Sequence, residues 1–255
     1  MREWRQVNGM RYGIISDIHG NLEALERVLE ELGDADEVIC LGDVVGYGAN
    51  PNECCERIRN TCSVILMGNH DAAVIGMMDL QWFNPFAKDA ILWTRQQLSQ
   101  ENLKFLKSLS SVKRIDNLLI AVHGSIRDPL EEYILSEEIA LASMKRMPPD
   151  VRVMFCGHTH VAEAYEWYPR TKTMGRVSLS RGGSIRILEQ AHYIINCGSV
   201  GQPRDYNRMA SFAVYDVDSG EVTIKRVEYD VDKAAQKIIE AGLPRELAIR
   251  LYYGV

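Results

Sequence analysis

The sequence predicts an α/β fold: an αββα sandwich of two packed sheets with flanking helices, in one domain over 1–255, with a small helical insertion. Three observations carry this. Short apolar runs alternate with amphipathic helical patterns through the first half. Period-two alternation takes over between 161 and 227, as in Val161, Glu163, Tyr165 and Trp167. Between 79 and 110 the strand signal lapses and two capped helical segments stand in its place.

Residues 11–16 (RYGIIS) read as a strand, and Asn21 then caps a helix whose apolar positions Leu22, Leu25, Val28, Leu29 and Leu32 follow 3-4 spacing until Gly33 ends it. Residues 37–41 (EVICL) form the second strand. Pro51 sits in the first turn of a helix running to about Asn60, and 62–67 (CSVILM) form the third strand. Continuously apolar strands joined by helices imply a parallel sheet covered on both faces. In the insertion, Asn84-Pro85 opens one helix and Ser99 caps another, a pair that could form a lid. Strands return at 112–116, 118–123 and 151–156, with a helix at about 136–146 closed by Pro148-Pro149. Asp218-Ser219-Gly220 turns 212–217 back onto 221–227, and 231–252 is helical, broken at Gly242 and Pro244. The basic stretch 170–186 reads as a solvated hairpin.

Composition narrows the function. The 255 residues carry 29 basic and 35 acidic side chains, a net charge of −6 that disfavours a general nucleic-acid coat. No apolar run approaches the roughly 18 residues of a membrane span, and the first eleven residues lack a signal-peptide core; a cytoplasmic protein is expected. The six cysteines include no CxxC pair and read as buried free thiols.

The chemistry gathers where strands end. Five of the six histidines lie in or beside glycine-containing loops after strands: SDIHGN (16–21), MGNHDA (67–72), VHGS (122–125) and CGHTH (156–160), with LGDVVGYG (41–48) contributing Asp43. In an open α/β sheet that edge is where ligands bind. Taken singly, Asp17 and Asn69 could be caps, Asp43 a turn residue and His19 a surface imidazole. Taken together, Asp17, His19, Asp43, Asn69, His123, His158 and His160 match a dinuclear site of mixed oxygen and nitrogen ligands. His192, in mid-strand, reads as structural.

These motifs, D-x-H, G-D, G-N-H-[D/E], H and G-H-x-H in order, resemble the calcineurin-like metallophosphoesterase superfamily, and INCGSVGQPRD (195–205) is similar to the closing motif of its small bacterial and archaeal phosphodiesterases. Cys197 stands where that group usually has proline. The resemblance implies one ion held by Asp17, His19 and His160, another by Asn69, His123 and His158, and Asp43 bridging them. His70 would stand beside the metals as general acid, and Asp71 would either support it or cap the next helix. Asn69 and Arg204 are the residues expected to meet substrate; Arg204 could instead pair with Asp205 on the surface.

Two divalent ions less two carboxylates leave a positive site that attracts a phosphate ester, and a hydroxide shared by ions about 3.5–4 Å apart would be the nucleophile. The ligand types suit Mn, Fe, Zn or Ni over Ca, with manganese favoured. Protein phosphatases of the superfamily carry G-D-x-V-D-R-G, whereas 42–48 here read GDVVGYG, so a phosphodiesterase acting on a small phosphorylated compound is the first expectation. A phosphomonoesterase or protein phosphatase at the same site, and a non-catalytic metal-binding interaction module, are the alternatives. A nucleotide substrate would fit stacking on Trp82, Phe83, Phe86 or Trp93, which otherwise pack the insertion helices onto the body. No membrane or nucleic-acid partner is expected, and a homo-oligomer is left open.

Overall fold

The computed structural model describes residues 9–255; most of the amino-terminal segment discussed above lies outside them. The strands are β1 (Arg11–Ile15), β2 (Glu37–Cys40), β3 (Val64–Ile65), β4 (Val112–Ile115), β5 (Leu119–Val122), β6 (Val153–Cys156), β7 (Ala162–Tyr168), β8 (Thr173–Ser178), β9 (Gly183–Arg186), β10 (His192–Cys197), β11 (Ala210–Asp216) and β12 (Glu221–Val227). The helices are α1 (Leu22–Glu31), α2 (Pro51–Thr61), α3 (Asn69–Val74), α4 (Pro85–Gln97), α5 (Gln100–Lys107), α6 (Glu137–Met144), α7 (Val231–Glu240) and α8 (Arg245–Tyr253).

Two six-stranded sheets form, in the orders β3-β2-β1-β11-β12-β9 and β4-β5-β6-β10-β7-β8. Both are mixed: the expected parallel arrangement holds for β1, β2 and β3, and β1 runs antiparallel to β11 on its other side. In the second sheet β10 lies parallel to β6 and antiparallel to β7.

Side-chain alternation explains the layering. Along β1, Tyr12 and Ile14 enter the inter-sheet core and Ile15 faces the helices. Along β6, Val153 and Phe155 meet the same core while Met154 and Cys156 pack toward α6. These two strands are thus apolar on both faces and read as continuous runs. The order is helices, sheet, sheet, helix, the expected αββα sandwich. Asn21, Asn84 and Ser99 cap α1, α4 and α5 through their side-chain oxygens.

The insertion comprises a 3-10 turn at Leu80–Trp82 with α4 and α5. Its Ala87 and Ala90 join a cluster with α7 and α8, and Ile91 and Leu106 join the helix-side core. The 170–186 stretch is not a hairpin: β8 pairs with β7 and β9 with β12, so it crosses from one sheet to the other. All six cysteines are free, and five are buried. No helix among the described residues is long and apolar enough to cross a membrane.

Candidate metal centre

The loops after β1, β2, β3, β5 and β6 converge at one edge of the sandwich. Asp17, His19, Asp43, His123, His158 and His160 are all nearly inaccessible there, and Asn69 is half-buried. Five of them, Asp17, His19, Asp43, His158 and His160, have positive φ between 50° and 66°. Such backbone costs on the order of 1 kcal/mol or more per non-glycine residue and persists only where surroundings enforce it. Loop-to-loop bonds do the enforcing. Asp17 N–H donates to Gly42 O, His19 N–H to Asp43 O, and Val200 N–H to Ser16 O. Gly68 is required because a Cβ there would overlap the Asp43 carboxylate.

The donor atoms fall into two groups sharing Asp43. In one, His19 Nε2 and His160 Nε2 are 3.1 Å apart, and Asp17 Oδ1 lies 3.3 Å from His160 Nε2. In the other, His123 Nε2 is 3.1 Å from His158 Nδ1 and 3.2 Å from Asn69 Oδ1. Asp43 Oδ2 stands 3.5 Å from both His19 Nε2 and His123 Nε2. The ligand atoms of Asp17, His19, Asp43 and His160, and those of Asp43, His123 and His158, lie within 4.8 Å of one another.

These groups fit cations. His19 Nδ1 contacts Val45 O at 3.2 Å and His160 Nδ1 contacts Gln202 O at 2.6 Å, so each ring gives its outer N–H to a carbonyl. Both inner nitrogens then present lone pairs toward each other, an arrangement that a shared positive ion stabilises. His158 is fixed likewise through Nε2 on Glu131 O at 3.3 Å. Asp43 Oδ1 accepts from His70 N–H at 2.8 Å, while Oδ2 is buried without a partner. Burial, aided by the charge of His70, holds His19 far below the usual imidazole range; burial also takes His123 down to about 4. Burial alone would raise Asp17, but His160 beside it keeps that carboxyl below the ordinary range. Burial, reinforced by Asp71 and Asp17, pushes Asp43 well up. Neutral rings are the form in which these imidazoles bind metal, and the burial and neighbouring carboxylates that push Asp43 up are offset when a cation is bound beside it.

His70 lies among the rings of His19, Tyr47 and Phe83, at centroid distances of 4.7, 4.5 and 5.2 Å. Its Nδ1 is buried without a partner, and burial lowers its pKa well below 6.5. Asp71 does not bond to His70. Its oxygens accept from Gly68 N–H at 3.0 Å and Val45 N–H at 3.1 Å, capping α3 and bracing the Asp43 loop. Arg204 does not pair with Asp205, which Arg226 takes. Its Nη2 donates to Gln202 Oε1 at 2.9 Å and to the Tyr47 hydroxyl at 3.3 Å.

A cavity of about 250 Å³ opens over this edge, lined by Asn69, His70, His158, Arg204, Tyr47, Trp82, Phe83 and Tyr133 among others. Trp82 and Phe86 are exposed, whereas Phe83 and Trp93 pack partly into the body. Three features here escaped the sequence reading. Tyr133 stacks on His158 at 3.9 Å and 10°, Glu131 O holds His158, and Tyr47 fills the space between His70 and Arg204. The first two sit in a loop without a motif. The signal for the third was present in GYG but was read only as the loss of an arginine.

The family description "Calcineurin-like phosphoesterase superfamily domain" matches residues 10–220. An uncharacterized protein of Methanocaldococcus jannaschii is 39% identical over 252 residues, covering 94% of this chain and 97% of that protein. The crystal structure of a metallophosphoesterase from Sphaerobacter thermophilus is 40% identical, with a TM-score of 0.85 over 97% of this chain and 100% of that one. A hypothetical protein of Pyrococcus horikoshii shares the fold, with a TM-score of 0.77 at 23% identity over 96% of this chain and 99% of its own.

Proposed function

From the premise that the chain belongs to the calcineurin-like phosphoesterase superfamily and is a phosphoric ester hydrolase, we propose that it is a phosphodiesterase acting on a small phosphorylated compound through two transition-metal ions, manganese first among them. One observation carries the two-ion reading: Asp43 Oδ2, buried and unpartnered, stands 3.5 Å from a ring nitrogen of each ligand group. Asp17, His19 and His160 would hold one ion, Asn69, His123 and His158 the other, and Asp43 both. Bound there, the ions would supply Lewis-acid charge and a nucleophilic water at neutral pH.

The chain's own residues do the rest. Asn69, half-buried at the cavity wall, meets both a ligand ring and the incoming ester. Arg204 offers guanidinium N–H groups to the phosphoryl oxygens, held in place by two neutral acceptors. His70 gives a proton to the leaving oxygen at its Nε2, since Nδ1 is enclosed. Burial favours neutral His70, so proton donation needs the negative charge of a bound ester to raise its pKa. Gly46 and Tyr47 stand where protein phosphatases of the superfamily carry an aspartate and a phosphate-gripping arginine, which supports a small diester over a phosphoprotein. The test is turnover of bis-p-nitrophenyl phosphate against p-nitrophenyl phosphate by chelated protein given Mn²⁺, Ni²⁺, Zn²⁺ or Mg²⁺ singly. Metal-restored preference for the diester is expected. Preference for the monoester would reassign the substrate class, and no turnover with two ions bound would make the chain a binding module.

A further inference from the structure

Tyr47 stands in the cavity wall together with His70 and Arg204. Its side chain is 5% exposed, and its ring lies 4.5 Å from the His70 ring and 4.7 Å from the His19 ring, centroid to centroid. Gly46 permits that approach. Its φ is 126°, and a Cβ there would lie 2.7 Å from His70 Nδ1 and 3.0 Å from His19 Nδ1. Thr94 Oγ1 donates to the Gly46 carbonyl at 3.2 Å, in the interior, and ties this turn to α4. The phenol is thus held by its surroundings before any ligand arrives.

Its hydroxyl has one hydrogen to give and lone pairs to accept with. Arg204 Nη2 donates to it at 3.3 Å. Arg204 cannot take the phenol hydrogen in return, because a guanidinium has no lone pair to offer. Arg250, 6.0 Å from the ring centroid and outside the cavity, is only a donor for the same reason. Gln202 Oε1 is bound by Arg204 through both Nε at 3.3 Å and Nη2 at 2.9 Å. Among the described residues no side chain or carbonyl accepts from the Tyr47 hydroxyl. A hydroxyl that accepts from a cation is polarised and becomes a better donor. Its hydrogen is therefore free to meet an oxygen that enters the cavity beside Arg204, and a phosphoryl group brings such oxygens with negative charge.

We propose that Tyr47 is a substrate-binding residue: its hydroxyl donates to a non-bridging phosphoryl oxygen of the ester while it accepts from Arg204, so that phenol and guanidinium grip the phosphoryl group as a pair. The proposal rests on the phosphodiesterase reading for the ester that is gripped; the contact itself is a claim about phosphate binding. The test is a double-variant cycle on the metal-loaded full chain: wild type, Tyr47→Phe, Arg204→Gln and the two combined. Its readouts are KM and kcat for bis-p-nitrophenyl phosphate and the calorimetric Kd for inorganic phosphate. Tyr47→Phe keeps the ring against His19 and His70 and removes only the hydroxyl. It is expected to raise that KM and Kd about tenfold, with kcat changed far less and the metal content unchanged. In the Arg204→Gln background the same substitution should still raise both by at least about threefold. If a melting curve shows the combined variant unfolded, Arg204→Lys replaces Arg204→Gln in the cycle. No effect of Tyr47→Phe overturns the proposal. So does an effect that vanishes once Arg204 is changed, which would leave Tyr47 only a prop for that side chain. Tyr47-dependent phosphate affinity in a chain that cleaves no diester would leave the contact standing and remove the phosphodiesterase reading instead.

Discussion

The two halves of the metal centre are built differently. The Asp17–His19–His160 half is enclosed: its three residues are at most 2% exposed, and both rings are pinned to loop carbonyls. The Asn69–His123–His158 half is a wall of the cavity. Asn69 is half-buried, and His158 leans on Tyr133, which is 41% exposed. Enclosure favours retention of an ion, whereas a wall that meets solvent favours exchange and contact with substrate. In the proposed function, the second half is accordingly where ion exchange and ester binding would meet.

The comparison breaks most severely at Asp43, which belongs to both halves. Asp43→Asn is expected to lower diester hydrolysis by at least about 10³-fold and to reduce the metal content of both halves, measured by elemental analysis after dialysis. Loss from one half alone would remove its bridging role. His70→Ala, which removes no ligand from either half, should lower kcat by about 10²–10⁴-fold with both ions retained. Metal loss from that variant would make His70 a ligand. The halves separate in a pair of single variants: after dialysis, His158→Asn should keep close to one equivalent of metal and His160→Asn distinctly less. Equal retention would show that enclosure does not set affinity.

Chelation sharpens the contrast further. His19, His70, His123, His158 and His160 all have folded-state pKa values below the unfolded value near 6.5, with His123 at about 4. Protons therefore bind the unfolded chain preferentially, and the metal-free protein loses stability as pH falls from about 6.5 toward 4. Asp71, raised to about 6 by burial, acts in the opposite sense, losing stability as pH rises, as does Asp43, but five rings outweigh two carboxyls. Thermal melts of chelated protein at stepped pH read the slope directly. The smallest effect is expected at the stack: Tyr133→Ala removes a contact worth about 0.5–1.5 kcal/mol and should speed metal loss from the outer half several-fold, leaving the inner half unchanged in a chelator-competition trace.

Much of this was legible because the ligand types recur at strand ends in a fixed order, and strand ends are marked by apolar runs stopping at glycine. Strand direction was legible for β1, β2 and β3, which are joined by helices, but not for β11: it is buried on both faces like β1 and β2, so its pattern is the same whether its neighbour runs parallel or antiparallel. The bounds of the six-residue α3 were not legible because it is too short for a 3.6 period to show, although Asn69 and Asp71 were read as possible caps there. Tyr133 was missed for another reason: it bears on the site through a tertiary neighbour, His158, distant in sequence. Arg204 was singled out in the sequence beside Asp205 as an alternative surface partner, and the structure gives Asp205 to Arg226 instead.

The bonds that lock Asp17 come from the far end of the chain. Its carbonyl accepts from Ser199 Oγ at 2.8 Å and from Gly201 N–H at 2.9 Å, across a separation of 182 residues for the serine. During synthesis the first motif leaves the ribosome early and must wait for a loop made near the end. At about 5–20 residues per second, some ten to forty seconds separate them. A nascent chain therefore exposes ligands before it can hold them in place, and correct metal loading is a late event that follows release of residue 201.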